Sequence, residues 1–204
     1  MTANTIFKVI FISVLVLLLQ SCAKDNSEEE EVWDLTSEHY FVGKLDDEKI
    51  QIEEGIEWYI NTRISIFKEK TGEKCDYFDG TIFLRGVSSL GSVQVLFYKN
   101  FEEYPTCDQI TNMYELGEHD YAKISSGVLY DGVIINYTDD NNIKWSTATE
   151  QASQDGSSFT LEKFIDHKGT KLMEAKFNCT LFNEKGEAKK LSSGIVRGIC
   201  VNDC

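Results

Sequence analysis

From Tyr40 onward, apolar side chains recur at every second position far more consistently than at every third or fourth. A period of two puts successive side chains on opposite faces of an extended strand and does not suit an amphipathic helix. In "YFVGKLDDEKIQI", Phe41, Gly43 and Leu45 alternate with Val42 and Lys44, Asp46-Asp47 interrupts, and Ile50 and Ile52 resume the pattern. A tight turn at the two aspartates pairs Phe41 with Ile52 and Gly43 with Ile50, which builds one apolar face. "EWYINTRISIFKEK" fits a helical stripe through Ile56, Tyr59, Ile60, Ile64 and Phe67, but its density of β-branched residues favours a strand. "DGTIFLRG" and "SVQVLFYKN" read as two further strands around a Ser/Gly turn. "TCDQITNMYELG" has Thr106 to cap a short helix and Gly117 to stop it. "GVIINYTDDNNIKWSTA" reads as a hairpin turning at residues 139–142, and "SFTLEKFI" as a strand after a polar loop at residues 151–158.

The last hairpin constrains its register most tightly. In "KFNCTLFNEKGEAKKLSSGIV", Glu184-Lys185-Gly186 makes a three-residue loop, with Gly186 at the position that requires a left-handed backbone. Asn183 then pairs with Glu187, and counting outward puts Leu191 opposite Cys179, Ser193 opposite Phe177 and Ile195 opposite Ala175. Ala175, Phe177, Cys179 and Leu181 share a face, so Cys179 is expected to be a buried, inert thiol. Without a bulge, Cys200 falls on the opposite face. About nine or ten strands and one short helix imply an all-β domain. An antiparallel β-sandwich is the first expectation and a lipocalin-like barrel the alternative. Residues 33–204 show no internal repeat and no second linker.

A hydrophobic content of 42% and an aromatic content of 12% describe a globular body. The formal net charge of −14 makes nucleic acid and anionic membrane surfaces poor partners. Cys22 aside, the cysteines are Cys75, Cys107, Cys179, Cys200 and Cys204, an odd set that cannot pair completely within one chain. No CxxC is present and no histidine lies near these cysteines in sequence, so a cysteine-based zinc site is a poor reading.

The first 32 residues are of another kind. Residues 9–19 form an apolar run too short for a membrane-spanning helix, which needs about 20 residues. With Lys8 before it, the run has the form of a signal-peptide core. It ends in Leu19-Gln20-Ser21-Cys22, followed by the tract "AKDNSEEEE". Aliphatic, any residue, small, cysteine resembles the lipobox of bacterial lipoproteins. The resemblance implies a signal peptide at 1–21, cleavage after Ser21, lipid attachment at Cys22 and a membrane partner through that anchor. Residues 22–32 cannot bury apolar area and read as a tether. An acidic tract directly behind the lipidated cysteine resembles the surface-export signal of Bacteroidota-type lipoproteins, which implies an outer-membrane protein facing the cell exterior. The stretch from "YTDDNNIKWSTA" to "FNEKGEAKKLSSGIVRG" also resembles the closing region of uncharacterised β-rich lipoproteins of that group. This implies a fold class and carries no catalytic residue.

Chemistry-bearing motifs are sparse. The sequence lacks G-x-S-x-G, HExxH and a P-loop, and no cofactor or metal is implied. Glu118-His119-Asp120 is the densest ligand-like cluster, but adjacent residues in a strand cannot all face one ion, and a polar loop is the simpler reading. Cys107 with His119 is the pair that thiol catalysis would use, although nothing in the sequence requires their meeting. Residues 139–142 offer calcium-type oxygens but lack an EF-hand's glycine and distal glutamate, so they read as a hairpin turn. Trp33, Trp58 and Trp145 near strand ends are the candidate ligand-binding residues, since exposed rings flanked by Asn and Asp stack on sugars. The competing reading puts these rings in the core. The expected function is a non-catalytic surface module for a glycan or a protein. The alternatives are an envelope structural or assembly lipoprotein and a hydrolase with an unrecognised active site.

Overall fold

A computed structural model describes residues 32–69, 75–85, 91–150 and 152–202. The lipobox with Cys22, the acidic tract and Cys204 lie outside the described residues. Trp33–Cys204 forms one unit, and no described helix is long and apolar enough to cross a membrane. The strands are β1 (Tyr40–Leu45), β2 (Glu48–Glu53), β3 (Tyr59–Glu69), β4 (Cys75–Arg85) and β5 (Val93–Phe101). Helix α1 (Cys107–Thr111) runs into a single 3-10 turn (Asn112–Tyr114). The short strands β6 (Gly117–Glu118), β7 (Ile124–Ser125) and β8 (Val128–Leu129) follow. The chain continues through β9 (Gly132–Thr138), β10 (Lys144–Ser146), β11 (Ser158–His167), β12 (Thr170–Phe182) and β13 (Ala188–Asn202).

The fold is all-β and antiparallel, with one short α-helix. The main sheet runs β2-β1-β13-β12-β10-β9-β5-β4-β3, with β11 beside β12 and β6 beside β11. It curls so that its two arms face each other. Gly198 of β13 sits so close to β4 that a Cβ there would fall 2.4 Å from Thr81 Oγ1. Ile199 N donates to Asn61 Oδ1 of β3 at 2.8 Å. The expected sandwich therefore consists of two arms of one continuous sheet, and β10 carries the sheet from one to the other through the Ser146–Phe182 pair.

A file of rings fills the space between the arms. Phe41 and Phe177 lie 5.6 Å apart, Phe177 and Phe159 6.0 Å, and Phe159 and Phe97 5.7 Å, all within aromatic contact range. Side chains of this size each contribute about 1.5–3 kcal/mol on full burial. The apolar run in β5 has a second use. Val93, Val95 and Phe97 belong to this core, whereas Leu96 and Tyr98 join Ala122 and Ile134 in a smaller cluster. β5 is thus buried on both faces, which is why its sequence does not alternate.

Two hairpins show how the register is set. β1 and β2 pair Phe41 with Ile52 and Gly43 with Ile50, around a turn in which Asp46 and Asp47 both have positive φ (49° and 71°). β12 and β13 pair Cys179 with Leu191, and Gly186 takes the left-handed conformation (φ 79°). Beyond Leu191 the register departs from simple alternation. Ser193 adopts φ 49° and inserts a bulge, so Phe177 pairs with Gly194 and Ala175 with Val196. The expected partners Ser193 and Ile195 are each displaced by one. The bulge reverses which residues of β13 face inward: Val196, Gly198 and Cys200 become buried, and Cys200 lies in the core cluster.

Thr106 caps α1 through a reciprocal capping box with Gln109. The helix ends at Thr111, earlier than Gly117, because the 3-10 turn follows and buries Met113 and Tyr114. Strands β6 to β8 have two residues each, too few to leave an alternating pattern in the sequence.

Candidate functional site

Where the sheet passes from one arm to the other, β5, β9, β10 and the end of β12 border a groove of about 620 Å³. Gln94 and Asn136 are cross-strand neighbours, and Asn136 Nδ2 donates to Gln94 Oε1 at 3.1 Å. That bond leaves the Gln94 amide NH₂ and the Asn136 carbonyl oxygen for other partners. Tyr137 pairs across strands with Trp145, and both line the groove with Phe182. Burial pushes the Tyr137 hydroxyl up to about 12, and the charges of Asp139 and Asp140 push it the same way, so it remains a proton donor at neutral pH.

The β9–β10 turn holds this wall in place. Asp139 Oδ1 accepts from Asn141 N at 3.0 Å and Ile143 N at 2.9 Å, and its Oδ2 accepts from Trp145 Nε1 at 3.2 Å. The Asp139 carboxylate is spent on the turn, as expected of a hairpin.

The three tryptophans occupy different elements. Trp145 is 5% exposed, belongs to the core cluster and carries Lys189 Nζ 4.8 Å above its ring. Trp33 is half-buried before β1, with Lys49 Nζ 5.0 Å over its ring. Trp58 is 84% exposed and sits with Glu57 at positive φ in the β2–β3 turn. Of the three, only Trp145 lines the groove, together with Gln94, Asn136, Tyr137 and Phe182, which have no local sequence motif.

Glu118, His119 and Asp120 border a second cavity, of about 520 Å³. His119 Nε2 donates to Glu115 O at 2.6 Å, and its ring stands edge-on to Phe97 at 5.1 Å. This histidine is occupied in packing the β6 segment, and Cys107 lies exposed at the start of α1.

Asp79 is fully buried on β4. Arg63 Nε lies 3.0 Å from Asp79 Oδ1, and Tyr114 Oη donates to Oδ2 at 2.9 Å. Burial pushes this carboxyl above its ordinary value, against the pull of Arg63 and Tyr114. Asp79 lines none of these cavities, so the cluster ties the 3-10 turn to the sheet.

Among the described residues, one group has donors that could hold a metal ion. Glu38, His39 and His167 each offer a ligand atom, and these atoms lie within 4.8 Å of one another. No spacing signals the group in sequence, because it joins the segment before β1 to the end of β11.

Comparison with protein-family models, with characterised proteins and with solved structures finds no match.

Proposed function

We propose that the chain is an outer-membrane lipoprotein, anchored through Cys22 and facing the cell exterior, whose β domain is a non-catalytic module that binds a glycan. The observation that carries the binding reading is the groove. It combines the amide pair Gln94–Asn136 with the ring of Phe182, which lies in the same cross-strand row through Ser146. Rings that shed water from the apolar face of a sugar, beside amides that both donate and accept, are the complement of a pyranose. The acidic charge of the chain argues for a neutral ligand over a polyanion.

The test is retention of immobilised neutral glycans by the full-length chain in detergent. Selective retention is expected, with a loss of about tenfold in the Gln94→Ala/Asn136→Ala variant, on the scale of one or two hydrogen bonds. Absence of retention, or retention indifferent to that variant, would remove the glycan reading. The anchor has its own test. Cys22→Ala should give unprocessed precursor or released protein, and neutralising Glu28, Glu29, Glu30 and Glu31 should shield the anchored protein from protease added to whole cells.

A protein ligand is the second reading. It draws on Ile56, Trp58 and Ile60, three exposed apolar side chains within five residues at 49%, 84% and 49% exposure.

A further inference from the structure

We infer that Glu38, His39 and His167 form a binding site for a divalent first-row transition metal ion, with Glu54 as the supporting carboxylate. Two of the chain's three histidines meet here. His39 is 8% exposed, and its Nδ1 lies 2.5 Å from Glu54 Oε2. With Nδ1–H donating to that carboxylate, the lone pair resides on Nε2, and Nε2 is buried with no hydrogen-bond partner. His167 Nε2 is likewise buried without one; it lies 3.2 Å from Glu38 Oε1 but is not aligned for a hydrogen bond. Buried polar nitrogens ordinarily find partners, and two orphaned imidazole nitrogens on residues that cluster with the Glu38 carboxylate have a common solution in a shared cation.

The donor set indicates which cation. Two neutral imidazoles and one carboxylate suit Zn²⁺ and its first-row neighbours, whereas Ca²⁺ and Mg²⁺ take oxygen ligands. Glu38 and Glu54 bring two negative charges to a divalent ion, with the Lys168 ammonium beside Glu38. Around tetrahedral zinc, with bonds of 2.0–2.1 Å to nitrogen, ligand atoms stand about 3.4 Å apart. Donors within 4.8 Å of one another reach that geometry by small side-chain rotations. Three protein donors also leave a fourth position for water.

The donors are held before any ion arrives. Glu53 Oε2 accepts from Thr36 N and Ser37 N, both at 2.7 Å, which pins the segment leading into Glu38 and His39. Glu54 N donates to His39 O at 3.0 Å. Thr170 Oγ1 donates to His167 O at 2.8 Å and closes the β11–β12 turn. Lys168 Nζ, 75% exposed on its side chain, bonds Glu38 Oε2 at 2.9 Å and leaves Oε1 toward His167. Glu38, His39 and His167 line none of the cavities above, so the inference stands apart from the glycan reading.

The experiment strips the full-length chain in detergent with chelator and titrates Zn²⁺ alone, followed by calorimetry and by metal content after desalting. One Zn²⁺ per chain at micromolar concentration is expected. His167→Gln and Glu38→Gln should each weaken binding at least tenfold, and Glu54→Gln about tenfold through the lost support of His39. His119→Gln should bind as the parent does. Melting of each metal-free variant establishes that it is folded, and Zn²⁺ should raise the melting temperature of the parent but not of His167→Gln. Failure of the folded parent to bind Zn²⁺ would reduce the cluster to an ion-pair network and overturn the inference. Zn²⁺ binding undiminished in both His167→Gln and Glu38→Gln would place the ion elsewhere and overturn it equally.

Discussion

Gly194→Ala tests the reversal of β13 at its source. Gly194 pairs with Phe177, and a Cβ there would stand 2.2 Å from Phe177 Cε2 and 2.5 Å from its Cζ. Ordinary carbon contact is about 3.5–4.0 Å, so the ring would have to recede by about 1.5 Å. It has little room, because Phe41 and Phe159 flank it at 5.6 and 6.0 Å and Phe177 itself is 4% exposed. Overpacking of this kind costs about 1–3 kcal/mol. Replacing glycine by alanine returns about 0.4–1 kcal/mol by restricting the unfolded chain. The net expectation is a loss of about 1–2 kcal/mol, or a melting temperature lower by about 3–6 °C for a domain of this size. Phe177→Leu alone should cost about 1–2 kcal/mol through lost ring contacts and a small cavity. In the double variant the alanine methyl enters space the ring has left, so the combined loss should fall short of the sum by about 1 kcal/mol. Urea unfolding of the four proteins, with unchanged m-values, supplies the cycle. A neutral Gly194→Ala, or strictly additive losses, would show that the Phe177 ring does not rest on Gly194 and would refute the bulged register.

Other expectations follow from single contacts. Burial pushes the Cys179 thiol up to about 12 despite its bond with Tyr121, so native protein should resist alkylation there while Cys107 reacts, and Cys179→Ala should cost about 1 kcal/mol. Burial pushes the Glu53 carboxyl up, but hydrogen bonds from Gln51, Ser37 and Thr36 outweigh it and hold the group below its ordinary 4.5. Its stabilisation is therefore full above pH 4.5 and lost as pH falls through the lowered folded value; Glu53→Gln should flatten that part of the acid unfolding curve. Thr106→Ala removes the capping box and should cost about 0.5–2 kcal/mol, measured by thermal melting, with an equal loss absent from Thr106→Ser.

Local chemistry carried most of the strand assignments. Alternation in β1 and β2, the Asp46-Asp47 turn and the Gly186 loop are each specified within a dozen residues, and the folded chain uses them as read. Thr106 with Gln109 likewise marks the helix start, since a capping box involves only neighbours. The bulge at Ser193 was not legible from the hairpin. Serine has no intrinsic need for positive φ, and the bulge falls where β13 lies between β1 and β12 and shifts register against both of them. Cys200 accordingly faces inward. The groove escaped for a related reason: Gln94 and Asn136 are unremarkable polar residues until antiparallel pairing of β5 with β9 sets their amides side by side.

Period-two patterning and turn chemistry act between residues close in the chain, and so they specify the all-β class, the registers nearest the Asp46-Asp47 and Gly186 turns and the burial of Cys179. Packing across the whole chain sets the rest: the two layers are arms of one curled sheet, Trp145 joins the core while Trp58 stays exposed, and His39 meets His167. Those outcomes depend on which strand lies beside which and on where the segment before β1 crosses to the β11–β12 turn. Such long-range juxtapositions arise from burying the whole apolar surface at once, and no single stretch of residues encodes them.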